Sequence, residues 1–256
     1  MKNAVGFIAL LILLTAFQTT PAFAQDAAPT KFVVFEEFVS PADMPAFWEA
    51  QKTTSELWQK HELDIPVYAY LNDDDAFYWV MPIENFGSLD AIFTKFHAMF
   101  QTMIDEDGFD ASSAFRDLYS GRQLVIEHAP DLSHLLADEN KPSEEEPFCE
   151  WMFCYLKAGH EKEVDQALKN FVDYYTEIGS TYTWDVYKSL FGFETPMYIL
   201  MVKSEDEVTL RTEEKALREN NKENFEKMWQ EFAPHVRKLE TKKGWYLPKF
   251  SNIPAN

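Results

Sequence analysis

Two stretches of the chain share one shape. Residues 66–81 read PVYAYLNDDDAFYWVM and residues 186–201 read VYKSLFGFETPMYILM, about 120 positions apart with no gap needed between them. At that shift Tyr78 falls on Tyr198 and Met81 on Met201. Each stretch is rich in the β-branched and aromatic residues that strands favour. The first is split by Asn72, Asp73, Asp74 and Asp75, residues that turn a chain by bonding their own backbone. The second is split by residues 192–195, Gly-Phe-Glu-Thr. A chain that makes the same hairpin twice at this distance is constrained to fold as two copies of one unit.

The flanking segments repeat as well. In the first copy, residues 32–39, FVVFEEFV, form a strand. Ser40 and Pro41 carry an N-cap and first-turn signature, and Met44, Phe47, Trp48, Leu57 and Trp58 keep the spacing of one buried helix face. After the hairpin, Ser88 opens a second helix with Leu89, Ile92, Phe93, Phe96, Phe100, Met103 and Ile104 on its apolar face, and Gly108 interrupts it. A short helical piece over 112–119 leads to a last strand over 124–128, stopped by Pro130. In the second copy residues 148–156 form a strand. Val164, Ala167, Leu168, Phe171, Val172, Tyr175 and Ile178 line one helix face. Ser204 and Glu207 form a capping box for a long polar helix, and residues 245–247 close the copy before Pro248. The division is residues 31–130 for unit 1, an acidic linker over 131–147, unit 2 over 148–251, and a tail over 252–256.

Lys2, the apolar run over 5–17 and Ala22-Phe23-Ala24 have the pattern of a secretory leader ending at Ala24. The run is shorter than the roughly 20 residues that span a bilayer. Residues 25–30 are small and polar and read as a flexible leader segment, so a free periplasmic or secreted protein is expected. The whole chain has 23 Lys+Arg against 43 Asp+Glu, a formal charge of −20. That balance opposes binding to nucleic acid or to an anionic membrane surface. Aromatic residues make up 16% of the chain, enough ring surface for a solid core beneath an acidic shell. Cys149 and Cys154 lie on one expected strand, about 16 Å apart and on opposite faces, too far for a disulfide.

The order β-α-β-β-α-β is the ferredoxin-like motif. Two tandem copies that pack their open sheet faces together resemble the dimeric α/β-barrel superfamily in its fused, pseudo-dimeric form, an α+β class. Antibiotic-biosynthesis-type monooxygenases, haem-degrading and haem-binding proteins and NIPSNAP-like proteins share that architecture, and the resemblance does not choose among them. It implies a ligand space between the sheets.

Alternation divides the first strand of unit 2 into Cys149, Trp151, Phe153 and Tyr155 on one face, and Glu150, Met152, Cys154 and Leu156 on the other. The equivalent of the second set in unit 1 is Val33, Phe35, Glu37 and Val39. The all-apolar face is expected beneath the helices, which turns Glu37 and Glu150 toward the space between the sheets. A carboxylate there has the means to act as acid or base. Tyr68, Tyr78 and Tyr198, with Tyr70 and Tyr246, offer hydroxyls to orient a ligand. Of six histidines none forms an H-x-x-x-H pair. His97 and His128 are the positions where the resemblance would allow an axial haem ligand, though no cofactor is expected. Residues 105–108 fail as an EF-hand because Met103 and Ala114 would occupy ligand positions. There is no G-x-S-x-G, Walker or dinucleotide motif. The expected function is binding of a small apolar or aromatic molecule between the sheets. The alternatives are a monooxygenase-like or haem-dependent enzyme, and a protein-interaction module whose sheet faces are plain core.

Overall fold

The computed structural model describes residues 31–136 and 142–254. The expected leader over 1–24, the segment 25–30, residues 137–141 of the linker and the last two residues of the tail lie outside the described residues. The elements are β1 (Lys31–Val39), α1 (Met44–Lys60), β2 (Tyr68–Asn72), β3 (Ala76–Ile83), α2 (Ser88–Asp107), α3 (Ala111–Ala114) and β4 (Tyr119–His128), then β5 (Phe148–Leu156), α4 (Glu161–Glu177), β6 (Asp185–Phe191), β7 (Met197–Ser204), α5 (Glu207–Asn220), α6 (Lys222–Phe232) and β8 (Val236–Tyr246). The eight strands close into one antiparallel barrel in the order β1-β3-β2-β8-β5-β7-β6-β4. Two seams join the first four strands to the last four. β2 meets β8 through Tyr70–Tyr246, Leu71–Trp245 and Asn72–Gly244. β4 meets β6 through Ile126–Ser189, Glu127–Lys188 and His128–Tyr187.

The helices lie outside the barrel. On one side Val33, Val39, Phe77, Trp79 and Met81 pack beneath Phe47 and Trp58 of α1 and Ile92, Met99 and Met103 of α2. On the other, Cys154, Leu156, Val186 and Tyr198 pack beneath Val164, Ala167 and Leu168 of α4 and Met228 and Phe232 of α6. Each Val, Leu, Ile, Phe or Met among them contributes roughly 1.5–3 kcal/mol of burial, which holds helices that are individually marginal in water. The barrel interior is a third, separate core built around Val34, Tyr70, Tyr78, Cys149, Trp151, Met201 and Tyr246.

This arrangement inverts the expected sheet faces. In β1 the helix side carries Val33, Phe35, Glu37 and Val39, and in β5 it carries Glu150, Met152, Cys154 and Leu156. The face of β5 that is apolar throughout, with Cys149, Trp151, Phe153 and Tyr155, turns into the barrel. The matching of the two strands holds, but the direction is reversed. A closed barrel has a wide centre that large rings fill, while the helix-side carboxylates find partners on other elements. Cys149 and Cys154 are buried, unbonded and on opposite faces.

Three boundaries also differ. β4 begins at Tyr119, where the short helical piece was expected to continue. β8 is eleven residues long, far more than the expected 245–247, because its middle, Arg237 to Lys243, is too charged to read as a strand. The single long polar helix is two, broken at Asn221 between α5 and α6.

Candidate functional site

The barrel encloses a cavity of about 450 Å³. Its walls are rings held by alternation on six strands. Trp151 stands edge-on to Tyr70 and Tyr78, with centroids 5.8 and 5.6 Å apart. Phe32 meets Tyr187 edge-to-face at 6.0 Å. Such pairs fix each ring against its neighbour, so the walls are rigid.

Polar groups collect at two places on this wall. At the first, Glu36 of β1 is 1% exposed and is gripped by Arg122 Nε of β4. Beside it Asn72 Nδ2 donates to the Tyr78 hydroxyl at 2.9 Å, and Tyr78 in turn bonds Glu36. Burial and the Glu36 charge push the Tyr78 phenol far above its ordinary value of 10.0. At the second, His128 Nε2 lies 3.0 Å from Asp185 Oδ1 and 3.2 Å from Ser133 Oγ. The Ser133 hydroxyl spends its one proton on the Ala129 carbonyl at 3.0 Å, so toward the imidazole it accepts. His128 Nε2 is therefore the protonated nitrogen. Nδ1 has no hydrogen bond among the described residues. Lys203 Nζ lies 3.8 Å from the other Asp185 oxygen.

The hydroxyls of Tyr68, Tyr70 and Tyr187 all belong to the cavity lining, yet form no hydrogen bond among the described residues. Burial raises the phenols of Tyr70 and Tyr187 well above 10.0, so both are donors at any physiological pH. At the rim the charges are matched. Tyr155 donates to Glu240 at 2.7 Å, Lys238 pairs with Glu240 at 2.6 Å and Lys242 with Asp74 at 2.7 Å.

Of the five residues expected to form the site, Tyr68 and Tyr78 line this cavity. Glu37, Glu150 and Tyr198 are on the helix side of the barrel wall. Glu37 accepts from the Trp79 indole at 2.7 Å, and burial raises its carboxyl above the ordinary 4.5. Glu150 is bound by the Arg211 guanidinium. Tyr198 donates to Asp165 of α4 at 2.7 Å. Sequence reasoning missed Glu36, Arg122, His128 with Asp185, Tyr187 and Trp151 as wall residues. The one signal pointing to Glu36 is its alternation with Phe32 and Val34 on one face of the strand.

A second cavity, of about 360 Å³, lies outside the barrel between the β5–β7 surface and helices α4, α5 and α6. Haem would need an axial donor, most often histidine or a cysteine thiolate. Among the described residues no histidine or cysteine lines this second cavity. His97 is exposed on α2, and His128 is bound through Nε2 within the barrel. Tyr175, Tyr182 and Met152 line the second cavity instead, and tyrosine and methionine are rarer axial donors. Among the described residues no cluster of three His, Cys, Asp or Glu could hold a metal ion.

No family model matches the sequence, and no curated protein matches it. Solved structures do match. An anthrone oxidase-like protein superposes with a TM-score of 0.56 at 10% identity, covering 86% of this chain and 92% of that one. A candidate monooxygenase from Lactobacillus acidophilus NCFM gives 0.52 at 7%, covering 85% and 94%. A chlorite dismutase variant from Candidatus Nitrospira defluvii, in complex with cyanide, gives 0.51 at 12%, covering 87% and 93%. These are dimeric α/β-barrel proteins, and the fold of this chain is theirs.

Proposed function

We propose that this protein binds a small, neutral aromatic molecule bearing a hydroxyl or carbonyl group inside the barrel. The observation that carries the reading is the set of hydroxyls on Tyr68, Tyr70 and Tyr187, which line an aromatic-walled cavity without a hydrogen-bond partner among the described residues. A few polar donors in an apolar pocket are what orient a ligand. The matched charges at the rim favour an uncharged occupant. The leader-like N-terminus supports action in the periplasm or outside the cell.

Titration of the full chain with 2-naphthol tests this. Saturable binding is expected, lost in Val80→Trp, which fills the cavity, and weakened several-fold in Tyr70→Phe. Absence of saturable binding to correctly folded protein at millimolar 2-naphthol, or binding indifferent to Val80→Trp, would refute it.

A second reading, that the site is catalytic, is favoured by His128. Its Nδ1 is an available base, and Asp185 stabilises the imidazolium that forms when Nδ1 takes a proton. The likeness to monooxygenase-like and chlorite dismutase structures accords with this reading. If it holds, bound 2-naphthol shows naphtholate absorption at neutral pH, and His128→Gln abolishes that absorption without abolishing binding.

A further inference from the structure

The second cavity is unrelated to the barrel space and has its own chemistry. Its floor is the outer surface of the sheet, from Met152, Leu200 and Val202. Its sides are rings from α4, α6 and the segment before β6, among them Phe171 and Tyr175 of α4, Trp184 and the α6 pair Phe225 and Trp229, stacked within 6° of parallel. A slot so lined takes a flat or slender apolar body.

The charges at its edge are uneven. Arg211 bonds both carboxylates that line the cavity, Glu150 through its two terminal nitrogens and Glu214 at 2.8 Å. Glu207, beside them, is held by Lys243. Every carboxylate here already has its cation. Arg218 is the remaining one. Its guanidinium stands over the Phe225 ring, 5.2 Å from the centroid, and forms no ion pair or hydrogen bond among the described residues. Tyr175 is the second unmatched group. It is 9% exposed and lines the cavity, and its hydroxyl has no hydrogen bond among the described residues. The two are close enough for the Arg218 charge to act on the Tyr175 phenol, opposing the upward push of burial.

We infer that this cavity is a binding site for an apolar monocarboxylic acid, whose carboxylate is received by Arg218 and the Tyr175 hydroxyl and whose body lies among the rings. Arginine offers a planar fork that matches a carboxylate. Its exposure at the mouth means that pairing needs little desolvation, while the apolar body supplies the driving force. The barrel cavity, with its rim charges matched, lacks this preference, so the two cavities sort ligands by charge.

The test is calorimetric titration of the full chain with 2-naphthoate and with the neutral 2-naphthamide. One saturable naphthoate site is expected. Arg218→Gln weakens naphthoate about five- to tenfold and leaves naphthamide unchanged. Tyr175→Phe weakens naphthoate a few-fold, and Leu200→Trp removes the site, whereas Val80→Trp in the barrel does not affect it. Thermal melts confirm that each variant is folded. Because Arg218 is exposed and Tyr175→Phe conservative, these two decide the matter even if Leu200→Trp does not fold. No saturable binding at millimolar naphthoate, equal affinity in Arg218→Gln, or loss of the site in Val80→Trp would each overturn the inference. The barrel reading stands or falls separately on 2-naphthol.

Discussion

Glu37 and Glu150 lie on the same helix-side face of β1 and β5, at different positions along it, and the helix layer treats them differently. Glu37 has only the Trp79 indole and the Tyr119 phenol against its burial, and its carboxyl is raised above 4.5, with burial the largest cause. A raised folded value means that protonation favours the fold. That contribution is complete below pH 4.5 and is lost as the pH rises through the folded value. Glu37→Gln keeps an acceptor for Trp79 and removes the charge. The variant should therefore melt higher than the parent at pH 7, with the gap closing as the pH falls toward 4, as read by thermal unfolding across pH. Glu150 instead has the Arg211 guanidinium, whose own pKa the Glu150 bond raises. Arg211→Ala leaves a buried carboxylate alone and should cost about 2–3 kcal/mol in urea unfolding, below the full range for a buried pair because Arg211 is itself partly exposed. Adding Glu150→Gln to it should recover most of that loss. These pairings also explain why the carboxylates could not be placed from sequence. A Glu within a strand reads as facing open space unless its cation is known, and Arg211 lies 61 residues beyond Glu150. The cavity wall was hidden for the same reason, since His128 meets Asp185 only across the β4–β6 seam.

Among the elements, those whose pattern is local could be read directly. The two hairpins and α4 follow from alternation and helical spacing alone. β8 could not be read, because its stability comes from pairing along β5 and β2 and its residues between Arg237 and Lys243 supply almost no apolar face. The seams that β8 and β6 complete are each marked by a glycine with no room for a side chain. A Cβ on Gly244 would stand 2.2 Å from the Leu71 carbonyl and 2.7 Å from Trp151. A Cβ on Gly192 would stand 2.3 Å from the Gln123 carbonyl, and its φ of +85° is itself costly for any other residue. At both places backbone meets backbone, so the strain cannot be relieved by rotating a side chain. Gly244→Ala should destabilise the chain by about 1–3 kcal/mol and, by pressing on Trp151, should also weaken 2-naphthol binding in the barrel. Unfolding and titration of the same preparation measure both. A loss of stability with unchanged 2-naphthol affinity would separate the seam from the site.

At the scale of the whole molecule, the two seams determine what either half can do alone. Residues 31–130 hold β1 to β4, in the order β4-β1-β3-β2, with both outer strands paired in the full chain to strands of the other half. Cut away, that half has unpaired backbone along β2 and β4, the kind of edge that recruits another chain. It also uncovers the inner faces of its strands, with Phe32, Val34, Tyr68, Tyr70, Tyr78, Leu124 and Ile126, which meet the other half only inside the barrel. An apolar patch of that kind is larger than soluble monomers tolerate. Burying several hundred Å² of it contributes on the order of 10 kcal/mol before ordering costs, at ~25 cal/mol per Å². The N-terminal half expressed alone should therefore self-associate or aggregate. The chain from residue 25 onward should unfold in a single transition, because neither inner face can be exposed without opening both seams. Analytical ultracentrifugation of the half and calorimetry of the longer chain measure the two outcomes. A monomeric half with its own undiminished melting transition would mean that each sheet is stable with its inner face in water. The barrel would then be a weak contact between two independent domains, and the cavity at their junction would be too loosely held to orient a ligand.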